Sequence, residues 1–296
     1  MDYYSQIKDE LVNNEVYKTV KDYSKNRSDL QTYYNVGKLL SEAGKHYGEG
    51  IIKKYSERLI VEVKKKYNER TLRRMRQFYE KFKNEKWSTV STKLTWSHYV
   101  ELLSIDNMDE VVYYINICRT NNIDVRDLRN KIKNKEYERL PESTKNKLIN
   151  NDDITLPDMV KNPIIIKNKY NTDKISEKVL QQLILEDLPS FLKELGNGFS
   201  FIDNEYKIKI GNNYNYIDLL LYNIKYKSYV VVELKVTELK KEHIGQIEVY
   251  MNYIDSNIKD ITDNKTIGII ICKEENSFVI KYASDNRILQ RKYILN

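Results

Sequence analysis

Two carboxylates and an ammonium sit where the sequence is otherwise apolar. Asp218 lies in Tyr216-Ile-Asp-Leu-Leu-Leu-Tyr222, and fifteen positions on, Glu233 and Lys235 close Ser228-Tyr-Val-Val-Val-Glu-Leu-Lys235. Burying a charge in such a setting is costly unless it is paired or binds a metal. Two carboxylates with oxygens to spare suit Mg²⁺, a hard cation that keeps several waters for a phosphate-bearing substrate. A neighbouring lysine adds a point charge for a phosphate, or a proton acceptor if its pKa is lowered. The same three residues would also serve as an edge-strand ion pair beside an unrelated aspartate, so the elements that carry them decide the matter.

Both runs are rich in β-branched, aromatic and aliphatic residues, and the polar segment Asn223 to Lys227 between them predicts a hairpin. Alternation along a strand puts Glu233 and Lys235 on one side and turns Leu234 into the core. Antiparallel pairing would bring Asp218 beside them. Farther on, helical periodicity runs from about Lys240 to Ser256, with Gln246 and Tyr250 four apart on one face. A strand with Asp, a strand with Glu-x-Lys and a helix with Gln-x-x-x-Tyr resemble the PD-(D/E)XK nuclease superfamily, in the branch with a Gln-x-x-x-Tyr helix.

The resemblance extends to the YhcG-like family of bacterial PD-(D/E)XK proteins. Similar stretches are Phe191-Leu-Lys-Glu-Leu-Gly-Asn-Gly-Phe199, Tyr216-Ile-Asp-Leu219, Gly245-Gln246 and Thr266-Ile-Gly-Ile-Ile-Ile-Cys272. In the amino-terminal half they are Thr71-Leu-Arg-Arg-Met-Arg-Gln-Phe-Tyr79 and Leu94-Thr-Trp-Ser-His-Tyr-Val-Glu-Leu-Leu103. The resemblance implies a nuclease-type core behind a helical domain and leaves the biological role open. It also implies a further carboxylate from the first helix of the core. Glu177 and Glu186 are both candidates there; Ser176-Glu-Lys178 resembles the family at the helix start and favours Glu177.

The activity expected on this basis is hydrolysis of a phosphodiester, with DNA favoured. Asp218, Glu233 and the backbone carbonyl of Leu234 would hold Mg²⁺ or Mn²⁺ against the scissile phosphate, lowering the pKa of a bound water. Lys235 would orient or deprotonate that water and offset charge on the phosphate. Gln246 would position the phosphate or Lys235, and Tyr250 would contact the nucleic-acid backbone. The alternative readings are a catalytically silent nucleic-acid-binding or assembly module, and a partner-dependent subunit of a restriction, defence or repair system. A homodimer, or separate protein partners in such a system, is compatible with the sequence.

Charge is distributed unevenly along the 296 residues. Residues 1–150 hold 30 Lys or Arg against 22 Asp or Glu, whereas residues 151–296 hold 20 against 21. The excess peaks in residues 51–100, with 14 basic and 5 acidic side chains. Capture of a polyanion is therefore assigned to the amino-terminal half. There Ile51 to Lys66 and Glu69 to Phe82 read as a helix pair with a turn near Tyr67-Asn68. The second helix offers Arg70, Arg73, Arg74 and Arg76 to nucleic acid, interleaved with Leu72, Met75, Phe78 and Tyr79. Contacts of that kind are salt-sensitive and largely blind to sequence.

Further helices are predicted at Trp96 to Ser104, at Asp109 to Asn121, and from Asp124, an N-cap, to Ile132. Trp87 and Trp96 read as buried hydrophobes, and His46, His98 and His243 as structural histidines. Cys118 and Cys272, far apart, exclude a disulfide framework and a cysteine zinc site. The 25 tyrosines are read first as coding bias and second as base-stacking surface. No Gly-rich phosphate loop, nucleotide-hydrolase signature or internal repeat is present. No apolar run reaches membrane-spanning length, and Met1-Asp-Tyr-Tyr-Ser-Gln lacks a secretory pattern, so a cytoplasmic protein is expected.

The expected organisation is α+β in two domains. Residues 1–145 form an all-α, basic domain, residues 146–172 a proline-containing linker, and residues 173–296 an α/β restriction-endonuclease-like core with a mixed central sheet. In that core one helix runs from Asp173 to Leu195. Strands follow at Phe199 to Ile210, Tyr216 to Tyr222, Tyr229 to Lys235, Thr266 to Cys272 and Phe278 to Tyr282.

Overall fold

A computed structural model of the protein describes residues 2–20, 25–63, 67–84, 93–150, 152–170, 175–281 and 285–296. The chain divides into two compact units, Met1–Tyr137 and Glu138–Asn296.

The first unit is helical: α1 (Tyr3–Val20), α2 (Lys25–Tyr47), α3 (Ile51–Glu62), α4 (Glu69–Phe82), α5 (Trp96–Leu102), α6 (Met108–Asn121) and α7 (Val125–Lys133). Its core gathers Ile7, Leu11, Val36, Leu40, Ile52, Leu59, Leu72 and Met75 from α1 to α4. On α4 the Asn68 side chain accepts the Thr71 N–H, and Leu72, Met75, Phe78 and Phe82 are buried, leaving the arginines to the outer faces. Asp124 caps α7 by accepting the Asp127 N–H, as expected. Trp96 packs edge-on against Tyr33 and Phe78; Trp87 lies outside the described residues. His98 is buried at the start of α5, one ring nitrogen on Thr95 and the other 3.0 Å from the Ile123 carbonyl. That is a structural role.

The second unit begins earlier than a linker at 146–172 would allow. Those residues contribute α8 (Glu142–Asn150), α9 (Leu156–Met159) and β1 (Ile164–Ile166). Arg291, from the far end of the chain, donates to the carbonyls of Val160 and Pro157. Glu194 draws together Arg139, Lys161 and the Ile165 N–H. The stretch is thereby woven into the core.

Next come α10 (Glu177–Glu186), α11 (Leu188–Leu195), β2 (Phe199–Ile210), β3 (Asn213–Asn223), β4 (Ser228–Glu238), α12 (Lys241–Asn257), β5 (Ile267–Glu274), α13 (Ser277–Lys281) and β6 (Ile288–Leu295). The single helix expected over 173–195 is two, parted at Asp187 with Pro189 in the first turn of α11, where a missing N–H is harmless. Of the strand expected at Phe278 to Tyr282, the residues up to Lys281 lie in the short helix α13, whose first turn is held by Asn276 accepting the Phe278 and Val279 N–H groups, and Tyr282 lies outside the described residues. The final strand is β6 instead.

The six strands lie in the order β1-β6-β5-β4-β3-β2. β1, β6, β5 and β4 run parallel, while β3 and β2 are antiparallel additions. One face of the sheet, with Leu219, Leu221, Val230, Val232, Leu234 and Ile271, packs on α10 and α11. The other, with Leu220, Val231, Ile270 and Cys272, packs on α12. Burial on both faces explains the unbroken apolar runs of β3 to β5. At Gly268 an added Cβ would lie 2.5 Å from Met251 Sδ and 2.9 Å from Ile247 Cδ1, so the absence of a side chain lets α12 approach β5 closely.

Candidate active site

The register of β3 on β4 runs from Asn223↔Ser228 to Leu219↔Val232 and stops there. One step on, Asp218 faces the main chain of β4 with its side chain in place of a ladder bond. Asp218 Oδ2 accepts the Leu234 N–H at 2.8 Å. In an extended strand the N–H and C=O of one residue point to the same edge, so the Leu234 carbonyl opens toward the same gap.

Glu233 falls on the α12 face of β4 and is 1% exposed. Its Oε2 accepts from Gln246 Nε2 at 3.3 Å and lies 3.5 Å from Lys235 Nζ. Its Oε1 is buried and has no hydrogen-bond partner. Lys235 Nζ is also 3.5 Å from Glu177 Oε2, so the lysine joins a carboxylate at the start of α10 to one on β4. Gln246 Nε2 donates in addition to the Tyr250 hydroxyl at 3.0 Å.

The structure thus gathers Asp218, Glu233, Lys235, Glu177, Gln246 and Tyr250 at one end of the sheet. Glu186 is not among them: at the other end of α10, it accepts from the Tyr170 hydroxyl and lies 3.8 Å from Lys169. Two residues of this region, Gln181 and Glu205, went unread in the sequence, while His243 was expected to be structural. Gln181, one turn after Glu177, is buried and donates to the Asp218 carbonyl at 2.9 Å, tying α10 to the critical point of β3. Its i, i+4 spacing from Glu177 was the available signal. Glu205 adopts a left-handed backbone (φ 50) in the gap between the registered pairs Asn204↔Leu219 and Tyr206↔Ile217, opposite Asp218. No sequence signal marks that irregularity. His243, three residues before Gln246 on α12, accepts the Lys240 N–H at 3.1 Å, a structural role next to the charges of Lys235 and Glu177.

Electrostatics follow from crowding. Burial pushes the Glu233 carboxyl up to about 8, Asp218 adds to the rise, and Lys235 opposes it. Burial also raises Asp218, with Glu177 and Glu205 adding, against the Leu234 N–H and Lys235. Burial on its own would lower Lys235, but Glu233, Glu177 and Asp218 outweigh it and hold the ammonium charged above its ordinary range. Lys235 is therefore a cation in this setting, which disfavours the expected option of deprotonating a water and leaves orientation and charge neutralisation.

Among the described residues no three His, Cys, Asp or Glu side chains converge as a ready-made metal cluster. The donor set here is of another kind: two carboxylates and a main-chain carbonyl edge. It fits a hard divalent cation, because Glu233 Oε1 is an orphaned buried oxygen and because two adjacent carboxylates each resist ionisation until a positive charge joins them.

The four arginines of α4 do not form one uniform face. Arg76 makes a two-bond contact with Glu49, at 2.7 and 2.8 Å. Arg73 pairs with Glu69 at 2.6 Å and lies 3.8 Å from Glu49. Arg70, Arg73 and Arg74 line an open concavity of about 630 Å³ with Asn68, Glu69 and Gln77.

A mixed sheet carrying Asp, Glu-x-Lys and, on the following helix, Gln-x-x-x-Tyr at one end is the arrangement of a PD-(D/E)XK nuclease core, and that is the fold class of the second unit. The sequence model of the YhcG PDDEXK nuclease domain matches residues 157–294, and that of the DUF1016 N-terminal domain matches residues 9–139. Residues 157–294 thus carry a YhcG PDDEXK nuclease domain and residues 9–139 a DUF1016 N-terminal domain. It is 26% identical to "Putative nuclease YhcG" of Escherichia coli (strain K12), over 98% of this chain and 90% of that one. Among solved structures, a repair endonuclease from Pyrococcus abyssi aligns over 41% of this chain and 48% of its own, at 19% identity and a TM-score of 0.30. EndoMS in a complex with dsDNA aligns over 42% and 48%, at 21% identity and a TM-score of 0.32. The chain thus spans about half the length of each of these two structures.

Proposed function

We propose that the protein is a divalent-metal-dependent nuclease that hydrolyses phosphodiester bonds, with DNA as the favoured substrate and the basic helical unit supplying capture. The observation that carries this reading is the buried Glu233 carboxylate, with one oxygen unpartnered, beside Asp218 where β3 and β4 part. A charged group left in that state is costly without a cation.

In this reading Asp218, Glu233 and the Leu234 carbonyl hold Mg²⁺ or Mn²⁺. The ion would supply charge stabilisation at the phosphate and a more acidic water. Lys235, kept charged by its three carboxylate neighbours, offsets negative charge that builds on the phosphate and orients the attacking water. Gln246 fixes the Glu233 carboxylate and the Tyr250 hydroxyl in one line of hydrogen bonds, which leaves Tyr250 to meet the nucleic-acid backbone. Glu177 restrains Lys235 from the opposite helix.

The test is a Mg²⁺ and Mn²⁺ titration against plasmid, linear, single-stranded and branched DNA, with Glu233→Ala beside the parent. Cleavage that requires the metal and vanishes in Glu233→Ala, while DNA binding persists, is the expected outcome. A variant that cuts as fast as the parent would remove the assignment. Binding by the parent with no cleavage under either metal would favour a silent binding module.

A further inference from the structure

Beyond Asp218, where β4 leaves β3, the β2–β3 ladder continues alone to Ile210↔Asn213. One face of this two-stranded extension is packed: Ile208 and Ile217 are buried in the layer that holds α12, with Tyr206 and Ile210 against it. The other face carries Lys207, Lys209, Tyr214 and Tyr216, all exposed. Lys207 is registered opposite Tyr216, and Lys209 opposite Tyr214, so the four side chains form one patch. The two tyrosines are 56% and 52% exposed, so both rings are open to solvent. Lys207 Nζ lies 3.8 Å from the centre of the Tyr214 ring and Lys209 Nζ 6.0 Å from it, so cation and ring are presented together.

Tyr216 stands two residues before Asp218 on β3, an advance of about 7 Å, so the patch borders the end of the sheet that holds the cleft. Exposed rings next to lysines suit unpaired bases, which can stack on them while their phosphates meet the ammonium groups. A duplex keeps its bases inside its own stack and could use only the lysines.

We propose that the outer face of the β2–β3 hairpin, Lys207, Lys209, Tyr214 and Tyr216, is a track for single-stranded nucleic acid that leads to the Asp218–Glu233 cleft. This track rests on the reading of that cleft as a phosphodiesterase site, and its binding can be measured without catalysis.

The experiment uses the full chain in EDTA with a fluorescein-labelled oligothymidine and a hairpin duplex of matched length, read by anisotropy. Tyr214→Ala/Tyr216→Ala is expected to weaken oligothymidine binding about tenfold or more and to leave the duplex within about twofold. Tyr214→Phe/Tyr216→Phe should keep the parent affinity, since the rings remain. Lys207→Gln/Lys209→Gln should weaken both ligands and flatten the salt dependence of oligothymidine binding. A 5-iododeoxyuridine oligonucleotide irradiated on the parent should cross-link to Tyr214 or Tyr216. An unchanged oligothymidine Kd in the double alanine variant, an equal loss for the duplex, or cross-links found only elsewhere would overturn the track. A parallel Mn²⁺ cleavage assay of the parent separates the two ideas: no cleavage defeats the phosphodiesterase reading, while the binding data alone judge the hairpin.

Discussion

Glu233 is the residue on which the proposed chemistry turns, because burial makes it a poor anion unless a cation joins it. With the carboxyl pushed up to about 8 by burial, the metal-free protein holds it protonated near neutrality. Metal binding must release that proton, so Mn²⁺ affinity should climb about tenfold per pH unit from pH 6 and level off above about pH 8. Calorimetry in buffers of different ionisation enthalpy checks both the slope and the proton release. The folded-state value lies above the ordinary 4.5 of the unfolded chain. The corresponding stability is therefore complete below that ordinary value and is lost as pH rises through about 8. The metal-free chain should melt lower at pH 9 than at pH 6, and Glu233→Gln should flatten that dependence. Lys235 allows a separate test. Lys235→Met should cut turnover about 100-fold or more without abolishing DNA binding, measured under single-turnover conditions; a loss below tenfold would contradict its role. These residues were legible in the sequence because ionisable groups in apolar strands are conspicuous. Gln181 and Glu205 were not, since one acts through a backbone carbonyl and the other through a local left-handed turn.

At the scale of elements, the site depends on how closely α12 is seated on the sheet. Gly268→Ala would press a methyl into Met251 and Ile247 of α12, so a loss of about 1–3 kcal/mol in stability is expected. Its activity should fall as Gln246 and Tyr250 shift with the helix. Denaturant melts and turnover of the same preparation check it, and an unchanged midpoint would show that the contact relaxes freely. The hairpin, α12 and β5 were readable because their periodicity and their turn signals agree. The edges of the sheet were not. β1 has only three residues and pairs with β6, which follows it by more than a hundred positions, and such long-range pairing leaves little local trace. The apolar look of Phe278 to Ile280 suggested a strand, yet the Asn276 side chain starts a helical turn there. The break between α10 and α11 had a visible cause in Pro189, masked by the strong helical pattern on either side.

For the whole molecule the division of charge matters most. The amino-terminal half holds the basic excess, but part of the α4 face is already committed to Glu49 and Glu69. Among the described residues no carboxylate lies within ion-pair distance of Arg70 or Arg74. Arg70→Ala/Arg74→Ala should therefore weaken DNA binding more than Arg73→Ala/Arg76→Ala and lower the slope of log affinity against log salt by up to about 2. Equal losses for the two pairs would show that Glu49 and Glu69 do not restrain their partners. The basic bias was plain from composition, whereas which arginines were already paired required coordinates. Among the described residues no helix is long and apolar enough to cross a membrane.

The most direct test of the account is Mn²⁺ binding to the purified chain, followed by electron paramagnetic resonance with Asp218→Asn and Glu233→Gln beside the parent. A bound ion is expected in the parent, with an affinity that falls at least tenfold in either variant while the fold persists. Parent-like Mn²⁺ binding in both variants would contradict it.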